Sequence, residues 1–298
     1  MGPAARGHLA MLVFSALVAG SFPLGSAAAN HIAPVALNAA RFALAAAILG
    51  AAILLRHAGA DARRALAEPW RYAVLGGVFA VYFVLMFEGL KTAAPVSAAA
   101  VFTLTPVLAA GFGWLLLRQV TGPWIAVALA IGAAGALWVI FDADWAALRA
   151  FDIGRGEAIY FLGCVAHALY TPLVRRLNRG ERALVFTFWT LVAGVAVLGA
   201  TGAPAMAATD WTALPGSVWI AIGYTAVFAT AATFTLLQYA ALRLPAAKVM
   251  AYTYLVPAWV ALWQMALGAP APREGILAGV ALTALALAML LRGDEAVA

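Results

Sequence analysis

Charge and cysteine are both scarce in this chain, and so is any stretch polar enough to fold in water by itself. Only 10% of its 298 residues are charged, against 66% hydrophobic, and the mean hydropathy is +0.97. A soluble chain of this length could not hide so much apolar surface. The one cysteine, Cys164, sits in an apolar run, which excludes a disulfide framework and a cysteine zinc site and leaves it a packing residue. There is no HExxH pair, no phosphate-cradling glycine loop with its lysine and no GxSxG, so the chain is not read as an enzyme and ATP hydrolysis is excluded. No metal or cofactor is expected. The carboxylates gather at loops and run ends, which gives a carboxylate proton relay little support. A net charge of +6 would suggest nucleic acid in a soluble protein, but no soluble domain is present to carry a basic patch.

What the chain does have is long apolar runs. A helix needs about 20 mainly apolar residues to cross a bilayer, with its hydrogen bonds closed internally. That ruler predicts an all-α membrane protein of ten transmembrane helices, near residues 8–28, 34–56, 70–91, 95–117, 123–141, 156–176, 183–201, 216–242, 247–268 and 273–292. Arg6, the run from His8 to Gly25 and Ala27-Ala28-Ala29 imitate a signal peptide. With so many apolar runs following, the first is expected to stay as the first helix. Short cytoplasmic loops retain Lys and Arg. With the N-terminus inside, thirteen of the eighteen fall on the cytoplasmic side: Arg6, Arg56, Arg63, Arg64, Arg71, Arg118, Arg175, Arg176, Arg179, Arg182, Arg243, Lys248 and Arg292. Lys91, Arg149, Arg155 and Arg273 fall outside, and Arg41 lies within the second span. An even number of spans puts both termini of this multi-pass protein in the cytoplasm.

The chain also repeats itself weakly. Gly89-Leu90-Lys91-Thr92-Ala93-Ala94 leads to Leu104-Thr105-Pro106-Val107 and Trp114; Ala241-Leu242-Arg243-Leu244-Pro245-Ala246 leads to Leu255-Val256-Pro257-Ala258 and Trp263. This divides the chain into two repeats, 1–150 with helices one to five and 151–298 with helices six to ten. Five spans are an odd number, so the second repeat enters the membrane from the opposite side. Inverted repeats around a central cavity can open it to each side in turn.

These residues resemble a known family. Gly20-Ser21-Phe22, Ala40-Arg41-Phe42, Gly89-Leu90-Lys91 with Pro106, Ala168-Leu169-Tyr170-Thr171 ending in Arg175-Arg176, and Ala241-Leu242-Arg243 with Pro257 are similar, in order and spacing, to the EamA-type ten-helix transporters of the drug/metabolite transporter superfamily. Within it they resemble the bacterial amino-acid exporters of the YddG type. The resemblance implies a secondary transporter that exports small amphipathic metabolites, amino acids including aromatic and other neutral ones. Where the family often has tryptophan, this chain has Ala19 in helix one and His167 in helix six. Both changes remove indole bulk.

A midplane site combines apolar walls with a few polar groups. Phe79, Tyr82, Phe83 and Met86 share one face of helix three, as a packing stripe or as a substrate wall. Helix six offers Tyr160, His167 and Tyr170. The histidine reads as a hydrogen-bond donor to a substrate carboxylate, as a proton carrier, or as a group satisfied by a neighbouring helix. Helix eight adds Tyr224, Thr230, Thr233 and Gln238, helix nine Tyr252 and Tyr254, and helix one the Ser21-Phe22-Pro23 turn. Pro106 and Pro257 are expected to kink helices four and nine or to expose a carbonyl. Glu88, Lys91 and Arg41 read as gate or interface residues, the first two as an interfacial pair and Arg41 as a side chain that snorkels to the headgroups. Helices five and ten, rich in small residues, are expected to pack the halves together. Two other readings stay open: a multidrug exporter of lipophilic cations, which would want a buried carboxylate that this sequence lacks mid-span, and a passive channel. The sequence does not specify an oligomeric state, and a monomer is compatible with it.

Overall fold

A computed structural model describes residues 2–151 and 153–292, with the side chain of Arg292 left aside; Met1, Asp152 and residues 293–298 lie outside the described residues. The described residues are all helical where they are regular. Nine helices there are long and apolar enough to cross a membrane: one Pro3–Ala29, two Pro34–Leu55, three Trp70–Gly89, four Pro95–Leu117, five Pro123–Ile140, six Arg155–Leu177, seven Ala183–Ala208, eight Gly216–Ala241 and ten Glu274–Leu291. The tenth expected span, helix nine, is present in three pieces: Ala246–Ala251, a tight turn at Tyr252–Leu255 and Val256–Ala266. Helix seven runs seven residues past its expected end because Ala203, Pro204, Ala205 and Met206 continue the apolar run, with Pro204 inside the helix.

The interruptions have local causes. Proline lacks an N–H and cannot close a helical ladder behind it. Pro106 and Pro257 therefore sit in the first turns of new helices, Thr105–Leu117 and Val256–Ala266, so helices four and nine are broken rather than simply kinked. The breaks meet: Thr105 Oγ1 and Thr253 Oγ1 lie 3.2 Å apart. Helix one breaks at Gly20, ahead of Pro23, and Gly20 has no side chain because the Tyr224 ring occupies that space. In helix eight a π turn spans Val227–Ala232.

Helices five and ten lie together through their small residues. A Cβ on Gly135 would stand 2.7 Å from the Gly279 carbonyl oxygen, and one on Gly279 2.9 Å from that of Gly135. Glycine pairs of this kind let helix backbones approach where lipid supplies no hydrophobic drive. The other eight helices surround the centre, where the largest buried side chains collect.

A closed aromatic centre and a buried arginine

The centre is built from rings on six helices. Helix three presents Phe79, Tyr82 and Phe83 at helical spacing, all at most 2% exposed, which removes lipid contact as their role. Against them stand Phe22 of helix one, Phe42 of helix two, Phe102 of helix four, Tyr160, His167 and Tyr170 of helix six, and Phe234 of helix eight. His167 stacks on Tyr82 with centroids 4.4 Å apart and planes 16° off parallel, and lies 5.1 Å from Phe102. Phe79 stacks on Tyr170 at 4.2 Å and meets Phe234 edge-on at 3.9 Å. Offset and edge-on pairs of this sort add about 0.5–1.5 kcal/mol each to simple burial.

Polar groups in this buried region are mostly satisfied. The Tyr82 and Tyr160 hydroxyls are 3.1 Å apart, and Gln238 Nε2 donates to Tyr170 Oη at 2.8 Å. His167 is the exception: it is 1% exposed, and neither ring nitrogen has a hydrogen-bond partner among the described residues. Thr171 Oγ1, one turn along the same helix, and Gln238 Oε1 are unpartnered as well. A buried polar atom left unpaired costs about 1–3 kcal/mol, so this is the most strained polar environment in the centre.

Arg41 corrects the sequence expectation. It does not snorkel: the residue is 0% exposed and points inward, across to the π turn of helix eight. Its Nε and Nη2 both donate to Thr230 Oγ1, at 3.0 and 2.7 Å, and Nη2 also donates to the Ala229 carbonyl at 3.1 Å. Nη1 reaches Asn38 Oδ1 at 3.3 Å, and the guanidinium carbon lies 3.8 Å from the centre of the Phe83 ring. A π segment disturbs the helical ladder and turns a carbonyl outward, and a long cation with several donors gains more from such acceptors than from a headgroup it can barely reach.

The remaining expected residues divide by place. Thr230 is bonded to Arg41, and Thr233 is buried one turn further along helix eight. Ser21 Oγ donates to the Val18 carbonyl, spanning the break in helix one. Tyr224 donates to the Leu17 carbonyl at 2.9 Å and packs near Trp263, apart from the central rings. Tyr252 lies 3.1 Å from His8 Nδ1. Tyr254 belongs to the interface of helices five and ten, its hydroxyl donating to Leu129 O at 3.4 Å and its carbonyl accepting from Thr283 at 2.9 Å. Lys91 Nζ lies 2.7 Å from Glu88 Oε2, both partly exposed.

Sequence reading missed Phe42, Phe102 and Phe234, as well as a network at the arginine-rich end. Phe42 adjoins Arg41 and Phe102 directly precedes the break at Thr105-Pro106, which are the signals that were available. In the network, Arg71 donates to Leu177 O at 2.6 Å and to Glu181 Oε1 at 2.7 Å and pairs with Glu68 at 3.0 Å, tying the start of helix three to the end of helix six. Burial works to raise the Glu181 carboxyl, but the bonds from Arg71 and from the Arg179 backbone N–H outweigh it and hold that group below its ordinary value. A cleft of about 540 Å³ opens beside this network.

A two-repeat, all-helical membrane bundle with broken helices meeting at its middle and a polar-aromatic centre is the architecture of a transporter. The chain belongs to the EamA-like transporter family, whose profile matches residues 5–141 and again 154–292. It is 27% identical over 265 residues to the uncharacterized transporter YyaM of Bacillus subtilis (strain 168), covering 88% of this chain and 86% of that protein. One solved crystal structure shares its fold over 99% of both chains, with a TM-score of 0.73 and 22% identity.

Proposed function

We propose that this transporter exports small amphipathic metabolites, foremost amino acids with aromatic or other neutral side chains, by alternating access across the inner membrane. Its two repeats, 1–150 and 151–298, are the moving units. The observation that carries the reading is the closed aromatic centre built from both repeats, an apolar wall of Phe79, Tyr82, Phe83 and Phe102 with the unpartnered imidazole of His167 set into it. Rings of this kind receive an apolar side chain, and unpaired polar atoms receive the polar groups that a hydrocarbon substrate would lack. The arginine-rich end, with the Arg71–Glu181 network, is then the cytoplasmic side, and both termini lie there. In the structure the Arg71–Glu181 pair ties helix three to the connection between helices six and seven at that end.

Lipophilic cations fit this centre poorly. Each carboxylate found in an ion pair among the described residues (Glu68, Asp61, Glu88, Asp142, Glu181) lies at a helix end or in a loop. The test is counterflow in liposomes holding the purified protein, with labelled phenylalanine, tryptophan, methionine and threonine beside a lipophilic cation dye. Saturable exchange of amino acids supports the reading. Exchange of dye without amino acids replaces it with a multidrug exporter, and flux that does not saturate replaces it with a channel.

A further inference from the structure

We propose that Arg41 receives the carboxylate of the transported molecule, and that in doing so it lets go of the π turn of helix eight. This rests on the amino-acid reading above and adds a charge rule to it: a carboxylate is obligatory, while an ammonium group is optional.

A guanidinium in the interior of a membrane protein is costly unless it is paired or well hydrogen-bonded. Arg41 is fully buried and no carboxylate pairs with it among the described residues; its partners are a hydroxyl, a carbonyl and an amide, all neutral. The manner of bonding matters more than the count. Thr230 Oγ1 alone accepts from both Nε and Nη2, the two donors along one edge of the guanidinium fork. That edge is the one a carboxylate occupies with two oxygens in parallel, and such charge-assisted pairs are about twice as strong as neutral hydrogen bonds. One threonine hydroxyl thus holds a place shaped for a two-oxygen anion.

The position suits the rest of the molecule to be carried. The guanidinium lies over Phe83, and Phe83 is 5.0 Å from Phe79 and 4.5 Å from Tyr82, ring centre to ring centre. A carboxylate on Arg41 therefore leaves the side chain against the aromatic wall that continues to His167. Arg41 stands in the first repeat and Thr230 and Ala229 in the second. When a carboxylate replaces them on the fork, the bond between repeats at the π turn is released, so that occupancy of the centre and movement of helix eight become linked.

The test is competition against labelled phenylalanine counterflow, with 3-phenylpropionate, phenylalaninamide and phenethylamine as competitors, in the wild type and in Arg41→Gln, Arg41→Lys and Thr230→Ala. In the wild type, phenylalanine and 3-phenylpropionate are expected to compete at concentrations about tenfold to a hundredfold lower than the amide or the amine, the range of one charge-assisted bond. Arg41→Gln brings the four together. Arg41→Lys keeps the preference in weakened form, because the charge stays and the fork is lost. Thr230→Ala removes the internal competitor and leaves phenylalanine binding equal or tighter. The proposal is overturned if the wild type takes phenethylamine as well as phenylalanine, or if Arg41→Lys and Thr230→Ala lose exchange in parallel with the ratio unchanged, the mark of a purely structural clasp. Transport of 3-phenylpropionate with no amino acid moved would end the amino-acid reading and leave the charge rule standing.

Discussion

Replacing His167 by methionine is expected to make the protein more stable and less active. The imidazole is buried with both nitrogens unpartnered, and removing an unsatisfied buried polar group returns about 1–3 kcal/mol. Against this stands the stacking on Tyr82 and Phe102, about 0.5–1.5 kcal/mol per ring pair. Methionine is close in volume and adapts its shape, so no cavity or overpacking cost of note is added. With both nitrogens unpaired the return is about 2–6 kcal/mol, and three ring pairs, Phe79 at 5.3 Å included, withhold about 1.5–4.5 kcal/mol, so the mid-range balance is a gain of about 1 kcal/mol, or about 2 °C in a domain of this size. Cys164 supplies the assay: it is the single cysteine and is 0% exposed, so a thiol-reactive fluorophore reports its exposure on heating in detergent. Amino-acid counterflow, measured beside it, is expected to fall at least tenfold. A methionine variant that melts several degrees below the wild type would refute the reasoning, because it would mean that the imidazole has partners and holds the centre together.

Other perturbations follow from the same geometry. Glu181, held below the ordinary carboxylate value, contributes stability that is complete above that value and is lost as pH falls through its own lower one. Thermal stability of the wild type should therefore decline on acidification below about pH 4, and Glu181→Gln should remove that part of the pH profile while starting from a lower melting temperature. Gly135→Val places a side chain against the Gly279 carbonyl and should cost about 1–3 kcal/mol, read as a drop in melting temperature by the same thiol assay. Pro257→Ala allows helix nine to close across Tyr252–Leu255; exchange should slow while the melting temperature stays level or rises, and unchanged exchange would show that the break is not part of the movement.

The composition and run lengths alone determined that this is a helical membrane protein, because lipid satisfies no backbone groups and every crossing must be an apolar helix of known length. Seven spans came close to their expected limits, helix one begins five residues early and helix seven ends seven residues late, and helix nine is interrupted by the turn that Pro257 imposes. The aromatic face of helix three was legible too, since Phe79, Tyr82 and Phe83 recur at helical spacing. Which rings those residues meet was not. Phe42, Phe102 and Phe234 stand on helices far apart in the chain, and a hydrophobic run of this kind carries no marker of which side faces lipid. Tertiary structure alone decided the direction of Arg41. Sequence places it within reach of the headgroups, and the π turn of helix eight, 189 residues away, supplies the acceptors that, with Asn38 on its own helix, hold it inward. Tyr252 and Tyr254 lie two residues apart and were read together. The turn at Tyr252–Leu255 sends one to His8 and the other to the packing of helices five and ten, because a backbone that leaves the α ladder also leaves the spacing from which a common face is read.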